Sequence, residues 1–357
     1  MKSEKRHIGW LLSSMLMLFV LMLLAACSED ADTMDRQEEP KGGLVQLSSV
    51  TRTSTLDPDG NNYDIKIYVM SKGAQYSAGN FSSTTSSTSW SNSGIRVEEC
   101  EQFYMYGYMP GTYGSSITAE VSDLNKDYSK GADLMITGLP IFTDKDICAI
   151  VGVQKIATPS EAKKIVEGNY GYFSGLDNEN YVNLLMDHLY SKLILKMNVD
   201  ANYSLLRDIK LKSVTLTCSY GETVDATVKL RTGYGLQGNT TAYSANSSGT
   251  NQEHSLWTST EGTIIPPDAN ETTPLSLGTI NCPPVVLDAA GTYMKITCIY
   301  DVYDKEGKKV RECTVENKLK TAAVTHGMEY TVTLTVAPTY LYVLSDADLN
   351  NPTITVN

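Results

Sequence analysis

Within residues 326–336, HGMEYTVTLTV, apolar and polar side chains alternate from Met328 onward. Tyr330, Val332, Leu334 and Val336 belong to one face and the intervening threonines to the other. A period of two fits an extended strand with one buried face, and a helix, with its period of 3.6, cannot sort the same residues onto one side. The pattern recurs in residues 63–70 (YDIKIYVM) and 209–217 (IKLKSVTLT), and residues 193–198 alternate in the same way. The 22 tyrosines against 5 phenylalanines also favour strands. One segment, residues 160–167, carries a modest helical signal, capped by Thr158 or Ser160 and stopped by Gly168. The expected fold class is therefore all-β. Strands at 8–15 residue spacing over 357 residues suggest two consecutive β-sandwiches.

The chain supplies further strands in FYMYGYMP (103–110), DLMITGL (133–139) and CAIVGV (148–153). The first places aromatics on both of its faces, which suits a core strand better than a sugar-stacking platform. Residues 77–94 and 233–254, rich in Ser, Thr, Gly and Asn, are expected as loops. Trp90 in the first is expected to fold back on its domain. The turn-rich stretch 170–180 suggests a boundary, giving domains at 44–180 and 181–357, the second opened by the run 187–197. Residues 294–302 and 310–315 flank the turn Asp304-Lys305-Glu306-Gly307 as a hairpin. That hairpin makes Cys298 and Cys313 the candidate disulfide, subject to a register the sequence leaves open. Beyond Pro338, residues 340–344 (YLYVL) and 353–357 (TITVN) are two short strands outside an apparently complete second sandwich.

The N-terminus carries processing signals. Residues 1–7 are basic, residues 8–26 almost continuously apolar, and Leu24-Ala25-Ala26-Cys27 follows. This is a secretory signal ending in what looks like a bacterial lipobox, with Cys27 diacylated and residues 1–26 removed. Residues 27–43 form an acidic tether with too little apolar surface to fold. Residues 44–52, LVQLSSVTR, are β-prone and end at Arg52.

The net charge of −12 argues against nucleic acid as a partner, because phosphate binding needs a basic face. Past the signal the histidines are His188, His254 and His326, and HExxH, GxSxG and P-loop motifs are absent. His188 follows Asp187, yet a structural histidine is the simpler reading than an acid–base pair. Asp144 with Asp146, and Asp301 with Asp304, lack the spacing of a calcium loop. No catalysis, cofactor or metal is expected.

The lipobox at Cys27, the strand ending in Thr51-Arg52, FYMYGYMP, DHLYSKLILKM and THGMEYTVTLTV together resemble the fimbrillin family of the Bacteroidetes, the type V pilins and their Mfa-like relatives. The acidic residues after Cys27 resemble the surface-export signal of lipoproteins in that phylum. The resemblance implies two transthyretin-like sandwiches and an outer-membrane lipoprotein cut after an arginine by an Arg-specific protease. Residues 44–52 would be the strand removed, with the cut at Arg52 rather than Arg36, and Val45 and Leu47 the plugs withdrawn from a groove. A second subunit would fill that groove with a strand from residues 339–357, through Tyr340, Tyr342 and Leu344, or Ile354 and Val356. The implied partners are other fimbrial subunits, the maturation protease, the outer membrane and a host or glycan receptor. The competing reading is a monomeric surface lipoprotein that binds a glycan or host protein through Trp90, Trp257 and tyrosine-rich loops. A lipid-anchored hydrolase is a weaker third.

Overall fold

The computed structural model describes residues 43–52, 63–83, 89–98, 102–111, 117–123, 126–161, 164–173, 180–234, 240–246, 251–287, 293–319, 324–337 and 353–356. Residues 1–42, which hold the signal, Cys27 and all of the tether but Gly43, lie outside this set, as do residues 340–344. The described chain is all-β. In order come β1 (Gly43–Arg52), β2 (Tyr63–Ser71), β3 (Ala74–Ser83), β4 (Ser91–Asn92), β5 (Arg96–Val97), β6 (Gln102–Met109), β7 (Thr118–Ser122), β8 (Gly131–Pro140), β9 (Cys148–Ile156), β10 (Gly171–Phe173) and β11 (Asn180–His188). Then follow β12 (Ser191–Val199), a single helical turn α1 (Ala201–Ser204), β13 (Asp208–Cys218), β14 (Thr223–Arg231), β15 (Thr240–Asn246) and β16 (Gln252–Ile264). The last are β17 (Leu275–Cys282), β18 (Met294–Tyr303), β19 (Lys309–Lys318), β20 (Glu329–Val336) and β21 (Thr353–Val356). Asp200 caps α1, its carboxylate accepting from the Asn202 and Tyr203 amides at 3.0 and 2.9 Å.

These strands make four sheets. The largest, nine-stranded, runs β4-β3-β2-β6-β9-β11-β1-β5, with β10 also on β6. Its two end strands are consecutive in the chain and three residues apart, so the sheet turns back on itself. The interior it encloses is apolar, formed by Val45, Ile65, Ile67, Phe81, Ile95, Phe103, Met105, Ile150, Val182 and Met186 among others. A Cβ at Gly107 would lie 2.1 Å from the Lys66 carbonyl oxygen, so only glycine lets β6 approach β2 this closely. The opposite face carries Tyr68, Tyr106, Tyr108 and Val151, in one continuous core with Leu134 and Ile136 of β8 and Val224 and Val228 of β14. Thus β6 buries aromatics on both faces, as its alternation requires.

The second sheet runs β15-β14-β8-β7, so β14 pairs with a strand far earlier in the chain, from Thr223 opposite Pro140 to Arg231 opposite Gly131. The other two run β17-β12-β20-β21 and β16-β13-β18-β19, and Leu193, Leu195, Val332 and Leu334 of the first belong to the same continuous core as Val214, Leu216, Ile296 and Tyr300 of the second. A boundary at 180/181 therefore divides β11, whose residues 181–188 pair with β9 and whose residues 181–186 pair with β1.

Several local expectations are corrected. Residues 157–161 and 164–168 form bends, turns and irregular chain instead of a helix, and two of their backbone donors are used against β9. The Lys164 amide donates to Gln154 Oε1 at 2.9 Å and the Gly168 amide to the Val151 carbonyl at 2.8 Å. Residues 77–83 are strand, not loop; Phe81 supplies the buried anchor that the surrounding serines conceal. Residues 240–246 form β15, paired with β14 over its whole length. The run 187–197 is two strands, broken at Leu189-Tyr190. Register also separates the expected disulfide: Cys313 lies opposite Tyr300 and Cys298 opposite Val315, and both are free thiols.

Candidate functional site

Strand β1 occupies an unusual seat. It pairs in parallel with β11, from Val45 opposite Asn180 to Arg52 opposite Met186, with a bulge between Leu47 and Ser49. On its other side Gly43 and Leu44 pair antiparallel with Val97 and Arg96. The Val45 amide donates to the Ile95 carbonyl at 3.0 Å. Asn92 fastens the same point: its Nδ2 donates to the Val45 and Ile95 carbonyls, and its Oδ1 accepts from the Ile95 amide at 2.8 Å. Beyond the bulge, Ser49 Oγ donates to Asn183 Oδ1 at 2.6 Å, and Asn183 Nδ2 donates to Gln154 Oε1 at 3.1 Å.

The two expected plugs face inward together. Val45 is fully buried and Leu47 is 6% exposed, both within the core enclosed by the nine-stranded sheet. Leu44, on the other face of the same strand, is 39% exposed. Burial of Val45 and Leu47 contributes about 1.5–3 kcal/mol each. β1 ends at Arg52; the segment 53–62 that follows lies outside the described residues. A chain cut there that released β1 would keep the other strands of the sheet but lose one of the two partners of β11 and the Val45 and Leu47 side chains from the core.

Of the expected donor positions, Ile354 and Val356 lie on β21. Among the described residues this strand pairs with β20 alone, with Val356 opposite Val332 and Thr353 opposite Thr335. It is four residues long and forms the edge of its sheet. Tyr340, Tyr342 and Leu344 lie outside the described residues.

The other residues singled out in the sequence have structural partners. Trp90 and Trp257 are half-buried, each packed against a core. Tyr106 stacks on Tyr170 with ring centroids 5.1 Å apart inside the core, and burial pushes its phenol pKa up. Asp301 receives Lys309 at 2.7 Å and Lys212 at 3.2 Å. Its burial opposes the charged form, but the two ammonium groups outweigh this and hold the carboxyl below its usual range. Asp304 accepts the Glu306 and Lys308 amides and so shapes the β18–β19 turn. His188 is buried at the end of β11, its Nδ1 2.6 Å from Asp146 Oδ1 and 3.6 Å from Cys148 Sγ. The neighbouring His326 Nδ1 donates to the His188 carbonyl at 3.0 Å and lies 3.4 Å from Asp187, which raises its pKa against the effect of burial. Sequence reasoning missed the clasp at Asn92 and the pairing of Asp146 with His188. Both join segments 40 or more residues apart with no motif to mark them.

Among solved structures, a fimbrial protein from Bacteroides vulgatus matches at 17% identity with a TM-score of 0.51, over 88% of this chain and 98% of that one. This chain shares that protein's fold. Weaker similarity extends to candidate cell-adhesion proteins. One from Bacteroides uniformis matches at 14% identity and TM-score 0.40, over 89% of this chain and 99% of that one. Another from Parabacteroides distasonis matches at 8% identity and TM-score 0.43, over 91% and 93%. No protein-family profile and no curated protein sequence matches the chain. Among the described residues no helix is long and apolar enough to cross a membrane.

Proposed function

We propose that this chain is a structural or accessory subunit of a cell-surface fimbrium that serves adhesion without catalysis. In this reading it is exported as a lipoprotein through Cys27 and held at the outer membrane. An Arg-specific protease cuts it after Arg52, and it polymerises when a strand of another subunit takes the place of β1. The observation that carries the reading is the seat of β1. A strand near the N-terminus, ending at an arginine, supplies Val45 and Leu47 to a core that the rest of the sheet already encloses. Removing it would leave the β11 edge unpaired beside an apolar slot, a strong template for strand addition.

The short edge strand β21 is suited to leave its place, since four residues paired on one side open more readily than a strand flanked on both. The reading as a monomeric glycan or host-protein binder finds less support, because Trp90 and Trp257 pack against cores instead of standing free.

Treatment of the purified chain with a trypsin-like, Arg-specific protease tests the proposal. It predicts a ladder of denaturant-resistant oligomers, absent in Arg52→Ala. Complete loss of residues 43–52 with the protein still monomeric would contradict it.

A further inference from the structure

We propose that Asp146, Cys148 and His188 form a binding site for a divalent transition metal of the zinc class. Their donor atoms lie within 4.8 Å of one another. Three segments bring them together. Asp146 ends the connection that leaves β8, Cys148 opens β9, and His188 closes β11 directly opposite Cys148. The donor set is a thiol, an imidazole and a carboxylate, the mixture that zinc-type ions prefer and that calcium or magnesium, as oxygen-seeking ions, do not. Three protein donors with a water in the fourth place make an open tetrahedral site.

The geometry agrees donor by donor. Zinc at about 2.3 Å from sulfur and about 2.0–2.1 Å from nitrogen, with a tetrahedral angle between them, sets those donors roughly 3.6 Å apart. Cys148 Sγ and His188 Nδ1 are 3.6 Å apart. Asp146 Oδ1 is closer to Nδ1, at 2.6 Å, because a proton lies between them. A metal in that position needs roughly 3.3 Å, so the carboxylate must withdraw by less than about 1 Å. The Asp146 side chain is 11% exposed, whereas that of His188 is closed off from solvent. The far nitrogen of the ring, Nε2, is buried with no hydrogen-bond partner among the described residues. The side-chain bonds of His188 therefore all run through Nδ1, the atom that faces the other two donors. On binding, Cys148 releases its thiol proton to solvent. The neutral His188 ring exchanges its proton from Nδ1 to Nε2 through solvent, so that the Nδ1 lone pair is free for the metal.

The site stands where the chain passes from the nine-stranded sheet to β12, and the His188 carbonyl receives His326 from the segment before β20. A bound ion would tie the 141–147 connection, β9 and β11 at this crossing and raise thermal stability. This inference is independent of strand exchange.

The test is a cobalt(II) titration of the purified full-length chain under reducing conditions, followed by displacement with zinc. The expected result is a saturable near-ultraviolet thiolate-to-cobalt band at one equivalent, chased by zinc, with a rise in melting temperature. The band is lost in Cys148→Ser and kept in Cys282→Ser, whose thiol is also buried but belongs to the core around β12. A folded chain that gives no saturable band, or a band that survives Cys148→Ser, overturns the proposal.

Discussion

Leu44 and Leu47 are the same residue on the same strand, and the structure assigns them opposite fates: 39% exposed against 6%. Truncating a buried leucine to alanine costs about 2–5 kcal/mol, whereas an exposed one lies within about 0.5 kcal/mol of neutral. Residue type and position on β1 are nearly shared by the pair, and each backbone is paired to a neighbouring strand, Leu47 to β11 and Leu44 to β5, so the difference in burial isolates the slot. Trp90 packs against the core that Leu47 enters, while Trp257 packs against the other. Urea unfolding in a Trp257→Phe background thus reports chiefly on the relevant core. With a slope of about 2 kcal/mol per M, Leu47→Ala should lower the midpoint by roughly 1 M or more, and Leu44→Ala by less than about 0.3 M. Equal shifts for the two variants would refute the assignment of β1 as a plugged strand.

Other consequences follow from the same contacts. Asn92→Ala removes the side-chain bonds that clasp Val45 and Ile95 and should cost about 1–3 kcal/mol, seen as faster amide exchange in residues 43–47 than in the rest of the sheet. Gly107→Ala sets a methyl against the Lys66 carbonyl and should destabilise by about 2 kcal/mol or more, read as a lower melting temperature or loss of soluble protein. The carboxyl of Asp301 is held below its usual value, so its contribution is present above the unfolded value of about 3.9 and is lost as pH falls through the folded one. Asp301→Asn should therefore lower the melting temperature near neutral pH, with the gap from wild type closing below about pH 4; a constant gap would exclude the ion pairs as its source.

Much of the fold is legible where one face of a strand is buried and the other wet. The alternation in residues 63–70, 209–217 and 329–336 becomes β2, β13 and β20. Legibility fails where small polar residues carry the strand. In β3 only Phe81 among residues 77–83 is a large apolar anchor, and in β15 the pairing with β14 substitutes for burial. The helical signal at 160–167 is a local propensity overridden by hydrogen bonds to β9. The candidate site shows the same split. Val45 and Leu47 are named in the sequence by the family resemblance, and the period of two of a strand then puts them on one face. The parallel partner of β1, its Asn92 clasp and the meeting of Asp146 with His188 depend on contacts across 40–135 residues, which no local pattern records. The same holds for Cys298 and Cys313, whose offset is set by a register that the turn sequence does not specify.

The most direct test of the central claim is the N-terminus of the mature protein, read by mass spectrometry on material shed from the cell surface. The account predicts a chain that begins at Thr53, with β1 gone and its slot filled by another subunit. A mature chain that begins at Cys27 and retains residues 44–52 would contradict strand removal and leave β1 as a permanent part of a closed surface protein.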